Sequence, residues 1–264
     1  MMKEQLTIVK VGGNIIDDVG MLNDFIQIFS GINGRKLLVH GGGKIATKTA
    51  SSLGIETKMI EGRRITGDDM IDVAVMTYAG LVNKKMVALL FKEGIQAIGL
   101  TGADGNAILA SKRPVKNGID YGWVGDVEEV NGSFLYSLLQ GGTTPVFCAL
   151  THDGHGHMLN TNADTIANEV ALALANFYDV TLNYCFELPG VMKDINDPGS
   201  LIKEMDLNAY QKLKSEGAIV GGMIPKLDNA FAAISQGVSR VNILNATSLA
   251  QLDNVNYHEY TTLH

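Results

Sequence analysis

Leu6-Thr7-Ile8-Val9-Lys10-Val11-Gly12-Gly13 is a run of branched residues broken by one lysine and closed by paired glycines. Branched apolar residues on both sides of the backbone predict a strand covered on both faces, as in a parallel sheet. A lysine inside such a strand needs an anion, because a buried unpaired ammonium is costly. The glycines carry no side chains, so their backbone N–H groups can approach a phosphate. The same elements recur near the other end, in Gly221-Gly222-Met223-Ile224-Pro225-Lys226. There a helix is introduced, and Lys226 in its first turn opposes the helix dipole and also asks for an anion. One phosphate site drawn from both ends of the chain is expected.

Outward from these segments, short apolar runs alternate with helical patterns, the signature of parallel strands joined by crossover helices. Strands are expected at Leu6 to Val11, Lys36 to His40, Ala97 to Leu100, Thr144 to Ala149, Val180 to Phe186 and Arg240 to Leu244. Helices are expected near Met21 to Phe29, Ile45 to Leu53, Asp68 to Lys92, Asp164 to Ala175, Asn208 to Ser215 and Lys226 to Gln236. Gly54, Gly94 and Gly237 follow three of them as C-caps should. The pattern predicts an α/β chain: a three-layer αβα sandwich with a central, mainly parallel sheet. Turn residues at Lys116-Asn117-Gly118, Val130-Asn131-Gly132-Ser133 and Asp153-Gly154 add β-hairpin excursions, the first spanning Ile108 to Phe134. With no linker visible, a division into lobes 1–150 and 151–264 rests on the halfway position alone.

The 264 residues, 46% hydrophobic and 19% charged, suit a globular chain. A net charge of −7 argues against nucleic acid as partner, since that affinity rests on clustered cations. No secretory leader or membrane span is read, which predicts a cytoplasmic protein. Cys148 and Cys185 lie in apolar surroundings without metal or redox spacing and read as reduced core residues.

His40-Gly41-Gly42-Gly43-Lys44 follows a strand and precedes a helix, which places bare amides where anions bind. It is not a P-loop, lacking G-x-x-x-x-G-K-[ST]. It does fit G-x-G-x-x-A through Gly41, Gly43 and Ala46, with Glu61 about 20 residues on, so a dinucleotide-binding dehydrogenase is the competing reading. Against it, the fingerprint belongs to the first strand of its domain, Arg63-Arg64 would crowd a ribose, and Lys10 and Lys226 stay unexplained.

At this point the residues resemble the amino acid kinase family, and within it the branch that phosphorylates N-acylated glutamate. Val9-Lys10-Val11-Gly12-Gly13 looks like its K-x-G-G turn, Val39-His40-Gly41-Gly42-Gly43 its V-H-G-G-G loop, and Gly62-Arg63-Arg64-Ile65-Thr66 its G-x-R-x-T. Asn160-Thr161-Asn162-Ala163-Asp164 is similar to N-x-N-A-D, and Gly221-Gly222-Met223-Ile224-Pro225-Lys226 to G-G-M-x-P-K. The ordered set, joined by Gly80-Leu81-Val82-Asn83-Lys84 and Val124-Gly125-Asp126-Val127, fits this branch better than aspartate, carbamate or uridylate kinases.

The resemblance implies transfer of the ATP γ-phosphoryl group to the side-chain carboxylate of N-acetyl-L-glutamate, with a larger acyl group such as succinyl as the alternative. A carboxylate is already ionised at neutral pH, so no general base is required. The resemblance places Lys10 on the γ-phosphoryl oxygens, Lys226 on the leaving side and Asp164 between the two ammonium groups. Gly12, Gly13 and Gly222 would bind phosphate; Gly42, Gly43, Arg64 and Asn160 would bind the acceptor. Magnesium would ride on the ATP phosphates, with no protein metal site. The expected assembly is a homodimer, the interface and the acyl-amino-acid site lying in the first lobe and ATP in the second. Few residues precede the first strand where arginine-inhibited relatives carry an extra helix, so insensitivity to arginine is expected.

Each assignment has a plainer competitor. Asp164 would serve as a first-turn acid on the helix dipole, Arg64 as a solvated charge, and Asn160 and Asn162 as turn and cap residues. His152, His155 and His157 invite a zinc reading, but a solvated hairpin is the default for them. Met70, Met76, Tyr78 and Met86 read as core or subunit contacts. The chain departs from the family at Phe186-Glu187-Leu188-Pro189-Gly190, where bulk replaces a hydroxyl near the expected nucleotide pocket. A silent ligand sensor on the same fold is a further alternative, disfavoured by the retained charges.

Overall fold

The run around Lys10 forms β1 (Gln5–Val11), followed by α1 (Gly13–Asp17), α2 (Val19–Ser30), β2 (Arg35–His40) and α3 (Gly43–Ser52). A ribbon of β3 (Met59–Ile60) and β4 (Arg63–Arg64) leads into α4 (Asp68–Ala74), which continues as a π-helical segment, Val75–Val82, and then as α5 (Asn83–Lys92). Next come β5 (Ala97–Leu100), β6 (Ile108–Lys112), β7 (Gly125–Val130) and α6 (Gly132–Gln140). After them lie β8 (Thr144–Phe147), β9 (Leu150–His152), β10 (Met158–Asn160), α7 (Ala163–Leu174) and β11 (Asp179–Phe186). The remainder is β12 (Glu204–Met205), α8 (Leu207–Ser215), α9 (Met223–Ser235), β13 (Arg240–Asn245), α10 (Ala246–Leu249) and β14 (Thr261–Leu263). The structure, a computed structural model, describes residues 3–60, 62–194, 196–219, 223–252, 254 and 256–264.

The main sheet has eight strands in the order β12-β14-β13-β11-β1-β2-β8-β5. Six of them run parallel; β14 lies antiparallel on β13 and carries β12 beside it. The chain leaves β1 toward β2 on one side and returns as β11 on the other, so strand order reverses at β1. In open α/β sheets ligands bind outside the carboxyl ends of the strands at such a reversal. Lys10 and Phe186 stand there, near the ends of β1 and β11. The predicted excursions form a second sheet, β10-β9-β6-β7, from two antiparallel hairpins. One boundary needs correction: Phe134 belongs to a helix, because the Asn131 side chain accepts its N–H and caps α6. The Asn-Gly-Ser signal read as a turn is a helix start.

Period two explains the layers. Leu6 and Ile8 face one buried cluster with Val180, Leu182 and Tyr184, which the apolar residues of α7 and α9 cover. Val9 and Val11 face a second cluster built from α2, α5 and α10. Lys10 shares the first face by alternation. The helix of residues 68–92 changes sides along its length: Met70, Val73, Ala74 and Tyr78 join the first cluster, Val82, Met86 and Leu90 the second. It is long and apolar enough, by length and composition, to cross a membrane, yet these residues pack it onto the sheet. Of the four residues read as core or contact, Met70, Tyr78 and Met86 are buried, while Met76 is exposed.

Candidate active site

Asn162 accepts the N–H groups of Asp164 and Thr165 at 2.7 and 3.3 Å and so starts α7. This places Asp164 in the first turn, on the β1 face that presents Lys10. Lys10 Nζ lies 2.7 Å from Asp164 Oδ1, and Lys226 donates to Oδ2 of the same carboxylate. Lys10 meets Oδ1 by charge and distance rather than by hydrogen-bond angle. Burial alone would raise the Asp164 pKa, but Lys10 and then Lys226 outweigh it and hold the carboxyl down at about 2. A first-turn acid on the helix dipole would not gather two cations from opposite ends of the chain.

Lys226 also lies 5.9 Å from the centre of the Tyr184 ring and 6.0 Å from that of Phe186. Tyr184 and Phe186 alternate along β11, so both rings stand on the Lys10 face. Phe186, where the sequence reading expects bulk in place of a hydroxyl, therefore flanks an ammonium. Phe186 also packs on Gly12, where a Cβ would come within 3.2 Å of Phe186 Cβ. Gly12 donates its N–H to the Cys185 carbonyl at 2.8 Å, which commits that amide to the strand end. Gly13 opens α1, where a first N–H has no intrahelical acceptor. Gly221 and Gly222, with the phosphate role expected of Gly222, lie outside the described residues, as does Glu61.

The glycine-rich loop turns from β2 into α3 through Gly42, whose φ of 152° suits glycine. The Gly43 carbonyl accepts from Arg64 Nη2 at 2.9 Å, and the same nitrogen donates to Thr47 Oγ1 at 2.9 Å. Arg64 is only 8% exposed, so it is no solvated surface charge. Asn160 sits in β10 rather than a turn, and its amide donates to Thr66 Oγ1 at 3.0 Å, two residues beyond Arg64. Arg64 and Asn160 thus belong to one framework beside the loop, while Lys10, Lys226 and Asp164 form another at the sheet's carboxyl edge.

Several residues of this neighbourhood carried no site role from sequence. Lys44 donates to the Asn14 side chain and lies 3.8 Å from Asp17, which ties α3 to α1. Tyr78 packs under Gly42, and His40 and Asn83 meet behind the loop. Their signal was present in the V-H-G-G-G and G-L-V-N-K segments, but nothing in a linear pattern shows that the two touch. The histidine cluster spreads along the second hairpin: His152 Nε2 pairs with Asn106 Oδ1 at 2.8 Å, while His157 Nδ1 pairs with Asp153 at 2.7 Å and stacks on Trp123. Among the described residues, no group of three His, Cys, Asp or Glu side chains is placed to hold a metal. Cys148 and Cys185 are buried free thiols, each pushed up to about 12 by burial. Such thiols stay protonated and unreactive at neutral pH.

The chain is 55% identical to the acetylglutamate kinase of Phocaeicola vulgatus over 248 residues, covering 94% of this chain and 96% of that one. It is 53% identical to the acetylglutamate kinase of Cytophaga hutchinsonii, covering 96% of each. Among solved structures, smu.665 from Streptococcus mutans superposes with a TM-score of 0.74 at 25% identity, covering 98% of both chains. The family profile spans residues 5–245, from the first residue of β1 to the last of β13, and so encloses both lysines, the carboxylate between them and the glycine loop; this chain belongs to the amino acid kinase family.

Proposed function

We propose that this chain transfers the γ-phosphoryl group of ATP to the side-chain carboxylate of N-acetyl-L-glutamate, giving N-acetyl-L-glutamyl 5-phosphate, a step of arginine biosynthesis. The observation that carries the proposal is the pairing of Lys10 and Lys226 with the two oxygens of Asp164 at the point where strand order reverses. Phosphoryl transfer to an ionised carboxylate needs positioning and charge neutralisation rather than a base. Lys10 neutralises the γ-phosphoryl oxygens, Lys226 the leaving side, and Asp164 holds both ammonium groups in place. Amides of Gly13, Gly42 and Gly43 donate to the moving group and the acceptor carboxylate. Arg64 and Asn160 hold the acyl-amino-acid end. The relatives above, both named acetylglutamate kinase, support the choice of acceptor.

Both Asp164 oxygens face lysines, so that carboxylate is a poor ligand for magnesium. Magnesium therefore enters with the nucleotide, as MgATP. Residues 1–150, joined by Asn160, carry the acyl-amino acid and the rest of 151–264 the nucleotide, in a cytoplasmic homodimer. Exposed Met76, Leu81 and Phe91 on the helix of residues 68–92 supply subunit contacts. Sedimentation tests the assembly, and a monomer or a hexamer would contradict it. The reaction is tested by coupled ADP release with glutamate, N-acetylglutamate and N-succinylglutamate in parallel. Turnover with N-acetylglutamate at least about tenfold above the other two in kcat/KM is expected. Equal or better turnover with the succinyl compound would overturn the acceptor, and no ADP release with any of the three would overturn the kinase assignment.

A further inference from the structure

His40, the last residue of β2, is fully buried directly before the glycine loop. Its Nδ1 lies 2.7 Å from the Gly41 carbonyl, which can only accept, so Nδ1 carries the ring proton. Nε2 is then a lone pair, and it accepts from Asn83 Nδ2 at 3.0 Å. The same amide nitrogen donates to the Val146 carbonyl at 2.9 Å. Two acceptors on one side fix which way the Asn83 amide points, and its oxygen takes Lys84 Nζ at 3.3 Å instead. Burial lowers the His40 pKa to about 4, so the ring is neutral at pH 7. The chain Val146–Asn83–His40–Gly41 thus fixes the first carbonyl of the loop.

Tyr78 fixes the next residue. A Cβ at Gly42 would lie 3.0 Å from Tyr78 Cδ1, so the ring is the floor on which Gly42 rests. Tyr78 and Asn83 are five residues apart. On an α-helix such a pair points about 140° apart, since each residue turns about 100°. In the π-helical segment the Asn83 N–H bonds the Tyr78 carbonyl, the i to i+5 bond that brings the two onto one side. The segment also lies where the helix passes from one core cluster to the other. Its less common geometry is what lets one helix reach the loop at two points.

We propose that Tyr78 and Asn83, aligned by the π-helical segment, are positioning residues that hold Gly41–Gly43 with its amides turned toward the transferring phosphoryl group and the acceptor. This rests on the phosphoryl-transfer role given above to Gly42 and Gly43. Histidine-selective 15N labelling, with His40 assigned from a His40→Gln sample, reads the ring tautomer of the free protein without any turnover. The wild type is expected to show Nδ1–H. Asn83→Asp, which accepts where Asn83 donates, is expected to move the proton to Nε2 and lower kcat about tenfold, with both substrate KM values within about threefold. Tyr78→Leu is expected to lower kcat to a similar degree with the His40 tautomer unchanged. An Nε2–H wild type overturns the proposal, as does a shifted tautomer in Asn83→Asp with full kcat. Should Asn83→Asp not fold, the wild-type tautomer and the Tyr78→Leu kinetics decide, and full turnover in Tyr78→Leu counts against the proposal. Wild-type Nδ1–H without any kinase activity would overturn the function and its catalytic use of the loop, leaving the tautomer standing.

Discussion

Lys10 and Lys226 reach the two oxygens of one carboxylate, that of Asp164, so two like charges from opposite ends of the chain are held at the same edge of the sheet. Without Asp164 the ammonium groups would repel and turn away; with both present, the cluster keeps one net positive charge for an incoming phosphate. In a loose phosphoryl-transfer transition state, negative charge spreads over the equatorial oxygens and the leaving oxygen.

Lys10→Ala and Lys226→Ala are therefore predicted to lower kcat by about 10²- to 10³-fold, with smaller changes in KM, as when one preorganised donor to a transition state is removed. Steady-state kinetics of the two variants with N-acetylglutamate and ATP measures this. A rise in either KM with kcat retained would show that the lysine contributes ground-state binding only.

Arg64→Ala is predicted to raise the acceptor KM about tenfold or more, because the role proposed for Arg64 makes it the bidentate cation at the acyl-amino-acid end. Some loss of kcat accompanies it, since Arg64 also holds the Gly43 carbonyl. Arg64→Lys should rescue little, because Nη2 of Arg64 alone already serves Gly43 and Thr47, and one ammonium cannot make those two bonds and also grip a carboxylate bidentately. Full acceptor affinity in Arg64→Lys would place the substrate carboxylate elsewhere.

Asp164 predicts a pH dependence of stability. Its pKa of about 2 in the folded chain lies below the ordinary 3.8, so the unfolded chain binds the proton more tightly. The stabilisation is full above about pH 4 and is lost as pH falls toward about 2, and from the shift it amounts to about 2 kcal/mol. Urea unfolding of wild type and Asp164→Asn should differ by about that much at neutral pH and converge in acid. A difference that stays constant down to about pH 2 would mean the carboxylate contributes by packing rather than by charge.

The fold was legible where burial is two-sided. β1, β2, β5, β8, β11 and β13 carry apolar runs bounded by turn residues, and each expected strand falls on an observed one. What stayed hidden was short or ambiguous. β14 has only Thr261–Leu263, too few residues for a period, and is held by pairing with β13. α1 begins at a glycine, which weighs against a helix until the phosphate-type turn before it is known. Of the candidate site, Lys10, Asp164 and Lys226 stood out because each sits awkwardly in its local element. Asn83 and His40 did not, since an asparagine in a helix and a histidine in a strand look ordinary until the 3.0 Å contact between them is seen.

Phe186, read from sequence as bulk in place of a hydroxyl, turns its ring to Lys226 at 6.0 Å. An ammonium near an aromatic face gains about 0.5 to 1 kcal/mol when partly exposed, and Tyr184 offers a second face at 5.9 Å. That is enough to bias the rotamer of a long side chain but not to hold it alone; Asp164 supplies the stronger tether. Phe186→Leu keeps the apolar volume and removes the ring, so kcat is predicted to fall about threefold, while Phe186→Tyr retains it. A double-mutant cycle with Lys226→Met separates this from packing against Gly12. If the ring acts on the ammonium, Phe186→Leu costs almost nothing further once Lys226 is gone. Equal losses in both backgrounds would assign Phe186 to the strand end alone, and a rise confined to the ATP KM would place the ring against the nucleotide instead.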